Sequence, residues 1–114
     1  MKAIIELAPR GSIFSRTKSN LASKRNNDYR LSFESAKTLF AEITPARIAA
    51  LDHLRAHGPL TIYALAKELG RNYSNVHADT AKLIEHGLVE KDANAKLFVP
   101  WDSVEIHLAL SKAA

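Results

Sequence analysis

The stretch that decides the fold is residues 61–92, TIYALAKELGRNYSNVHADTAKLIEHGLVEKD. Thr61 is a good N-cap, and apolar residues recur after it at helical spacing, which predicts a short amphipathic helix. Gly70 ends that helix, because glycine readily adopts the left-handed conformation found at helix ends. A second helix can begin at Asn72 or Ser74, since either side chain can cap it.

The second helix is predicted to end at Gly87 and to bury one apolar face. That face comprises Tyr73, Val76, Thr80, Leu83 and Ile84. The turn between the two helices is only three or four residues long. Two amphipathic helices joined so tightly pack best in a crossed arrangement, so the pattern predicts a helix-turn-helix.

The opposite face of the second helix carries small and polar side chains. At about 100° per residue, the outward positions are Ser74, Asn75, Ala78, Ala81, Lys82 and Glu85, with His77 on the flank. Such a face can enter a DNA major groove, where Asn pairs with adenine and Ser with several base edges. Arg71 and Asn72, at the helix start, would then meet phosphate. The alternative is an ordinary solvated face, because this geometry also occurs in proteins that never touch DNA.

A short hairpin is predicted after the second helix, with strands at residues 88–89 and 97–99 and a polar turn at residues 92–95. Asn94 suits the left-handed position of that turn, and Pro100 ends the ladder because it has no amide proton. Such a hairpin is a wing. Its tip residues can reach the sugar-phosphate backbone or a minor groove, and they are Lys91, Asn94 and Lys96.

Length and composition limit the classes of protein to which the chain can belong. A chain of 114 residues with 46% hydrophobic content is long enough for one globular domain with a modest core. It has no apolar run of about 18 residues and no signal-peptide pattern, so we expect a cytoplasmic protein with no membrane association. The absence of cysteine excludes disulfides and thiolate zinc sites.

The net charge of +4 is concentrated near the amino terminus. Residues 10–30 carry six basic side chains against Asp28 alone, and they are Arg10, Arg16, Lys18, Lys24, Arg25 and Arg30. We call this set the basic arm. It predicts sequence-independent attraction to DNA phosphates through counterion release. The alternative is a solvated segment whose charges only keep the protein soluble.

Both ends of the chain contain strand-like alternation, at residues 2–7 as a half-buried strand and more cleanly at residues 104–110. These strands pair either with each other or with their copies in a second chain. The second arrangement gives a homodimer, which lets a DNA reader contact two half-sites. A marginal helix at residues 12–25 and a short strand at residues 31–33 are also predicted.

Two further helices precede the stretch quoted first. Ser35 caps a helix whose apolar residues are spaced along one face up to Ile43, and Thr44-Pro45 opens a helix that ends at Gly58-Pro59. The predicted fold class is α+β, mainly α: a winged helix-turn-helix with a short β-hairpin wing and additional terminal strands. The predicted division is residues 1–30, a strand and the basic arm, and residues 31–114, the winged domain with its C-terminal strand.

The segments SFESAKTLFAEITPARIAAL, LAKELGRNYSNVHADTAKLIEHGLVEKD and FVPWDSVEIHL resemble a family of prokaryotic transcriptional regulators with a MarR-like winged helix. The resemblance covers about residues 30–110. Its distinctive pieces are Thr44-Pro45, Gly70-Arg71, Asn75-Val76-His77, Asp79, Gly87-Leu88-Val89 and Pro100. Two residues depart from the family pattern: Ala78 stands where members often carry a basic residue, and Trp101 stands where tyrosine is common.

The resemblance implies sequence-specific binding to double-stranded DNA, as a repressor at an operator upstream of the protein's own gene. Residues 72–86 would then form the reading helix. The residues expected to contact DNA are Arg71, Asn72, Tyr73, Ser74, Asn75, His77, Ala78, Lys82, Lys91, Asn94 and Lys96. Some family members look like antitoxins encoded beside a small toxin. The alternative function is therefore an antitoxin or interaction module that neutralises a partner toxin through its terminal strands or arm.

Enzymatic and metal-binding functions have weaker support in the sequence. His53 and His57 have the spacing of a helical zinc pair, but no third ligand is placed beside them. Ser74, His77 and Asp79 include the residue types of a catalytic triad, yet on one helix they diverge too far to form a relay. We expect no catalytic residues, no metal and no cofactor. RNA binding lacks a cluster of aromatic residues for base stacking.

Overall fold

The computed structural model describes residues 1–8 and 28–110. The strands of this part are β1 Ala3–Leu7, β2 Tyr29–Phe33, β3 Glu90–Lys91, β4 Leu97–Phe98 and β5 Val104–His107. The helices are α1 Ala36–Glu42, α2 Pro45–His57, α3 Ile62–Leu69 and α4 Tyr73–Glu85. The described residues thus have an α+β fold, as predicted, with a parallel three-stranded sheet and a short antiparallel β-pair after the helices.

The chain divides into two units, residues 1–42 with 101–114 and residues 43–100. The boundaries between these units lie near residues 42 and 100. The physical reason is that segments from both ends of the chain share one sheet, which the first unit contains.

β1 is the central strand of that sheet, with β2 and β5 parallel to it on either side. Of the two predicted pairings of the terminal strands, the structure contains the one within a single chain. The prediction of a half-buried first strand is wrong, because Ala3, Ile4, Ile5 and Glu6 are all buried, as expected for a central strand. β5 ends at His107 instead of continuing to residue 110.

Two contacts between side chains strengthen the first unit. The buried Glu6 carboxylate accepts a 3.2 Å hydrogen bond from Nη1 of Arg30, which lies in β2. The rings of Tyr29 and Trp101 are stacked with centroids 5.3 Å apart, so Trp101 packs against Tyr29 in this unit. Burial raises the pKa of the Tyr29 hydroxyl.

Local signals fix the helix starts of the second unit, as predicted. Thr44 Oγ1 accepts a 3.2 Å hydrogen bond from the Arg47 amide, and Pro45 occupies the first position of α2. Thr61 Oγ1 caps α3 in the same way, with the Ala64 amide at 3.1 Å.

α2, α3 and α4 pack against one another around an apolar core. Its fully buried side chains include Leu54, Leu65, Val76, Leu83, Leu88 and Leu97. Thr80 is buried with them, and its hydroxyl donates a 3.1 Å hydrogen bond to the His77 carbonyl, which offsets the cost of burying a polar group. Across residues 1–8 and 28–110, no helix has both the length and the apolar character that a membrane span needs.

Candidate nucleic-acid interface

The turn that joins α3 to α4 consists of Gly70, Arg71 and Asn72. Gly70 has a φ of 66°, in the left-handed region that glycine adopts without strain. The amides of Gly70 and Arg71 then bond to the last carbonyls of α3, at 3.2 and 3.0 Å. Asn72 Oδ1 accepts a 2.8 Å hydrogen bond from the Ser74 amide and so caps α4. The predicted turn chemistry therefore sets where α4 begins.

The buried face of α4 is narrower than its apolar pattern predicts. Val76, Thr80 and Leu83 are buried, as expected. Tyr73 and Ile84 were expected on the same face, but they are 50% and 38% exposed. Both lie at the margin of the buried stripe and near the ends of the helix, where fewer neighbours cover them. The Tyr73 ring instead lies beside His77, with centroids 6.1 Å apart.

The opposite face of α4 is open to solvent in the described part of the chain. Its exposed residues are Ser74, Asn75, His77, Ala78, Ala81 and Glu85. Lys82 is half-buried, and its ammonium lies 3.3 Å from the Glu85 carboxylate. The structure thus gathers the predicted outward residues on one accessible helix face.

Arg71 is half-buried, unlike the exposed residues of α4, and it forms an ion pair within the second unit. Its Nη2 atom donates a 2.8 Å hydrogen bond to Asp79 Oδ2. Arg47, at the start of α2, donates from Nε to Oδ1 of the same carboxylate at 3.0 Å. We call these three residues the Asp79 cluster. The predicted phosphate contact of Arg71 must therefore compete with a bond that holds the guanidinium against α4.

Arg47 is the member of the Asp79 cluster that the sequence did not indicate. It is separated from Asp79 by 32 positions, so no helical spacing links the two residues. The side chains of Arg47 and Asp79 are only 16% and 13% exposed. Only the packing of α2 on α4 brings these opposite charges together.

β3 and β4 form the predicted hairpin, with a change at its first strand. The strand expected at residues 88–89 lies instead at Glu90–Lys91. The reason is that the amides of Leu88 and Val89 bond to the Leu83 carbonyl, at 2.9 and 3.4 Å, and close the end of α4. On the other side, Leu97 exchanges backbone hydrogen bonds with Leu60, so β4 is anchored on both edges.

The hairpin tip is organised by Asp92. Its Oδ1 atom accepts hydrogen bonds from the amides of Asn94 and Lys96, at 2.8 and 3.0 Å. The left-handed residue is Ala95, with a φ of 61°, so the prediction of Asn94 is wrong by one position. The Asp92 turn places the left-handed position after Asn94, a common geometry in hairpin loops of this length. The tip residues Lys91, Asn94 and Lys96 are all exposed.

A family model named HVO_A0114 matches residues 42–106, more than half of the chain. The chain belongs to the HVO_A0114 family. The matched region contains all of α4, the Asp79 cluster, the hairpin and most of β5. The HVO_A0114 match leaves out β1, β2 and the basic arm. No curated protein and no solved structure matches the chain.

The histidines and the triad-like residues of this HVO_A0114 protein have other neighbours. His53 Nε2 lies 2.6 Å from Glu68 Oε1, and the His53 and His57 rings are 4.6 Å apart. Among residues 1–8 and 28–110, no group of three or more His, Cys, Asp or Glu residues is arranged to hold a metal ion. The Asp79 carboxylate is bound by two arginines, and His77 has Tyr73 as its ring neighbour.

The basic arm lies almost entirely outside the described residues. Its member Arg30 is described, and it belongs to β2, where it pairs with Glu6. The other members and the helix predicted at residues 12–25 fall in the undescribed range, and these members are Arg10, Arg16, Lys18, Lys24 and Arg25.

Proposed function

We propose that this protein is a sequence-specific DNA-binding transcriptional regulator that represses transcription at its own operator. In this proposal, α2, α3, α4 and the β3–β4 hairpin form a MarR-like winged helix-turn-helix. α4 is the reading helix, and double-stranded DNA is the ligand. The observation that carries the proposal is the accessible, small and polar face of α4 opposite its buried stripe.

The chemistry of that face fits a major groove. The Asn75 side chain is exposed and can bond bidentately to adenine, a contact that discriminates between bases by about 1–3 kcal/mol. Ala78 and Ala81 add no bulk, so the helix backbone can approach the base edges closely, and their methyl groups can contact thymine. Ser74 can bond to several base edges. Asn75 therefore supplies most of the proposed discrimination.

The hairpin supplies a second contact. Lys91, Asn94 and Lys96 are exposed around a tip that Asp92 and its hydrogen bonds hold in shape. Two ammonium groups on a small rigid loop suit the sugar-phosphate backbone. In this proposal the hairpin positions the protein on the duplex, whereas α4 reads the sequence.

We also propose that the regulator acts in the cytoplasm as a homodimer, without catalytic activity or cofactor. Two copies bound to one duplex contact two half-sites, and each added half-site multiplies the specificity.

The decisive experiment measures binding to the duplex upstream of the gene, with an unrelated duplex of equal length, across a salt titration. Specific binding is expected to exceed nonspecific binding by about 1,000-fold or more. The double variant Asn75→Ala, Lys82→Ala should lose most of this preference. Arg55→Ala is the control for the removed charge, because Arg55 is exposed on α2. Equal binding of both duplexes by the wild-type protein, or an unchanged preference in the double variant, overturns the proposal.

The alternative function, neutralisation of a small toxin, has one supporting observation: β5 lies at a sheet edge and exposes Ile106. Such edges bind protein partners by strand addition. Co-expression with any small protein encoded beside the gene tests this function. If the partner co-purifies with the Asn75→Ala, Lys82→Ala variant after operator binding is lost, the two activities use separate surfaces.

A further inference from the structure

The outer edge of β5 pairs with no other strand in the described part of the chain. Apolar side chains are exposed along it and just after it: Ile106 is 38%, Leu108 36% and Leu110 82% exposed. An exposed edge strand offers a row of backbone donors and acceptors, and natural proteins usually protect such an edge. Here every second residue of the segment is apolar, and residues 104–110 contain neither lysine nor proline.

The hydrogen bonds between β1 and β5 fix which backbone groups point outward. The Ala3 amide donates to the Ser103 carbonyl at 3.0 Å, so the backbone groups of Ser103 face β1. Alternate residues of a strand direct these groups to opposite edges. Those of Glu105 and His107 therefore also face β1, and those of Val104 and Ile106 face outward. The outer edge can accept another strand with its hydrogen bonds centred on Ile106.

We propose that β5 pairs antiparallel with β5 of a second copy of this chain, about a two-fold axis at Ile106. In this register Ile106 lies opposite Ile106 of the copy. Val104 lies opposite Leu108, and Glu105 lies opposite His107. The two three-stranded sheets then form one six-stranded sheet, in the order β2-β1-β5-β5-β1-β2.

The sequence of this segment is what selects a second copy as the occupant. Residues 104–108 read VEIHL, which is apolar, polar, apolar, polar and apolar about the central isoleucine. A two-fold axis brings together the same segment of two copies, so that segment must complement itself. The VEIHL segment complements itself on both faces of the sheet. One face pairs apolar side chains three times. The other face pairs a carboxylate with an imidazole twice.

Charge also selects the register. The His107 imidazole and the Lys2 ammonium bond to the Glu105 carboxylate and lower the pKa of its carboxyl, so Glu105 is ionised at neutral pH. An axis at Glu105 would place two carboxylates opposite each other, which destabilises a strand pair. An axis at His107 would place the carboxylate opposite Ala109 and lose both complementary pairs. An axis at Ile106 keeps both pairs of Glu105 with His107.

The proposed strand pairing involves the first unit alone and does not depend on DNA binding. Cysteine cross-linking tests it cleanly, because the chain has no native cysteine. Residues that exchange hydrogen bonds across an antiparallel pair have Cα atoms about 5.5 Å apart, within the range of a disulfide. Under mild oxidation, Ile106→Cys should form a disulfide-linked dimer at least about tenfold faster than Leu110→Cys, because pairing raises the local concentration. Leu110 is the more exposed residue, so random collision predicts the reverse order.

A mixing experiment tests the register. Val104→Cys and Leu108→Cys, which keep Glu105 and His107, should each cross-link slowly alone, because like positions are offset by four residues along the strands. Mixed in equal amounts, they should cross-link to each other, since these positions lie opposite at about 5.5 Å between Cα atoms. Cross-linking of Val104→Cys alone that is as fast as in the mixture overturns the register.

Sedimentation supplies a readout without oxidation. The wild-type protein should show a concentration-dependent dimer in the micromolar range, and Ile106→Lys should shift it to monomer because two ammonium groups would face each other. Leu110→Lys should remain dimeric, and circular dichroism should show both variants folded. A monomeric wild-type protein, or a dimer that Ile106→Lys leaves intact, overturns the inference. An Asn75→Ala variant that dimerises normally separates this result from failure of the DNA-binding proposal.

Discussion

The Nη2 atom of Arg71 lies 2.8 Å from the Oδ2 atom of Asp79, and Nε of Arg47 lies 3.0 Å from the other oxygen of the same carboxylate. One acidic side chain on α4 thus joins the turn before α4 to the first turn of α2. The orientation of the proposed reading helix depends on this cluster as well as on apolar packing.

Replacing Asp79 by alanine should destabilise the protein by about 2 kcal/mol, since it leaves two partly buried guanidinium groups without their shared acceptor. Urea unfolding monitored by circular dichroism measures the decrease. Asp52→Ala is the matched control, because Asp52 is an exposed carboxylate on α2. Equal decreases in the two variants would mean that the cluster contributes no more than a surface charge.

The hairpin lysines should act on affinity rather than on sequence preference. The double variant Lys91→Ala, Lys96→Ala is expected to weaken binding to specific and unrelated duplexes by the same factor. The slope of log affinity against log salt should become shallower by roughly 0.9 for each phosphate that the variant no longer neutralises. The variant Lys37→Ala, Arg55→Ala removes the same charge from exposed sites elsewhere and should leave the slope unchanged. A similar change of slope in both variants would mean that the hairpin lysines act only through the net charge of the protein.

The basic arm is best tested by substitution, because deleting residues 1–30 would also remove the central strand β1. Glutamine at Arg10, Arg16, Lys18, Lys24 and Arg25 should weaken DNA binding and flatten the salt dependence, since fewer counterions are released. Arg30 should be kept, because it pairs with Glu6. Fluorescence anisotropy at several salt concentrations measures the effect, and an unaltered slope would restrict the arm to a solubilising role.

Ala95 offers a stabilising substitution. Its φ of 61° is unfavourable for a residue with a Cβ atom, and Ala95→Gly should stabilise the protein by up to about 1 kcal/mol. Ala93→Gly in the same loop should destabilise it slightly, because glycine there only adds freedom to the unfolded chain. Thermal unfolding distinguishes the two, and reduced stability in both would contradict the geometry of the tip.

The sequence predicts those elements whose signals are local. Thr44, Thr61 and Asn72 cap their helices in the structure, and Gly70 ends α3, because each acts on backbone groups within a few residues. The exposed face of α4 also follows from helical periodicity. These features account for most of the second unit and for the accessible face of the candidate site.

The features that sequence analysis missed depend on contacts between distant segments. Ala3, Ile4, Ile5 and Glu6 are buried in a strand that has a parallel neighbour on each side, and alternation alone cannot distinguish such a central strand from an edge strand. The bond between Arg47 and Asp79 has the same origin, because packing of separate helices creates it. The left-handed residue of the hairpin tip was also missed. Asp92 sets the geometry of that turn, so Ala95 is left-handed although Asn94 has the stronger preference for this conformation.

The order of strands in the parallel sheet has a consequence for the order in which the protein folds. The whole of residues 43–100 lies between β1 and its partner β5 in the chain. The helices of that intervening unit rely on contacts that are closer in sequence, which form faster than distant strand pairs. The helical unit can therefore form while Ile4 and Ile5 still lack one neighbour, and the sheet is completed only when β5 pairs with β1.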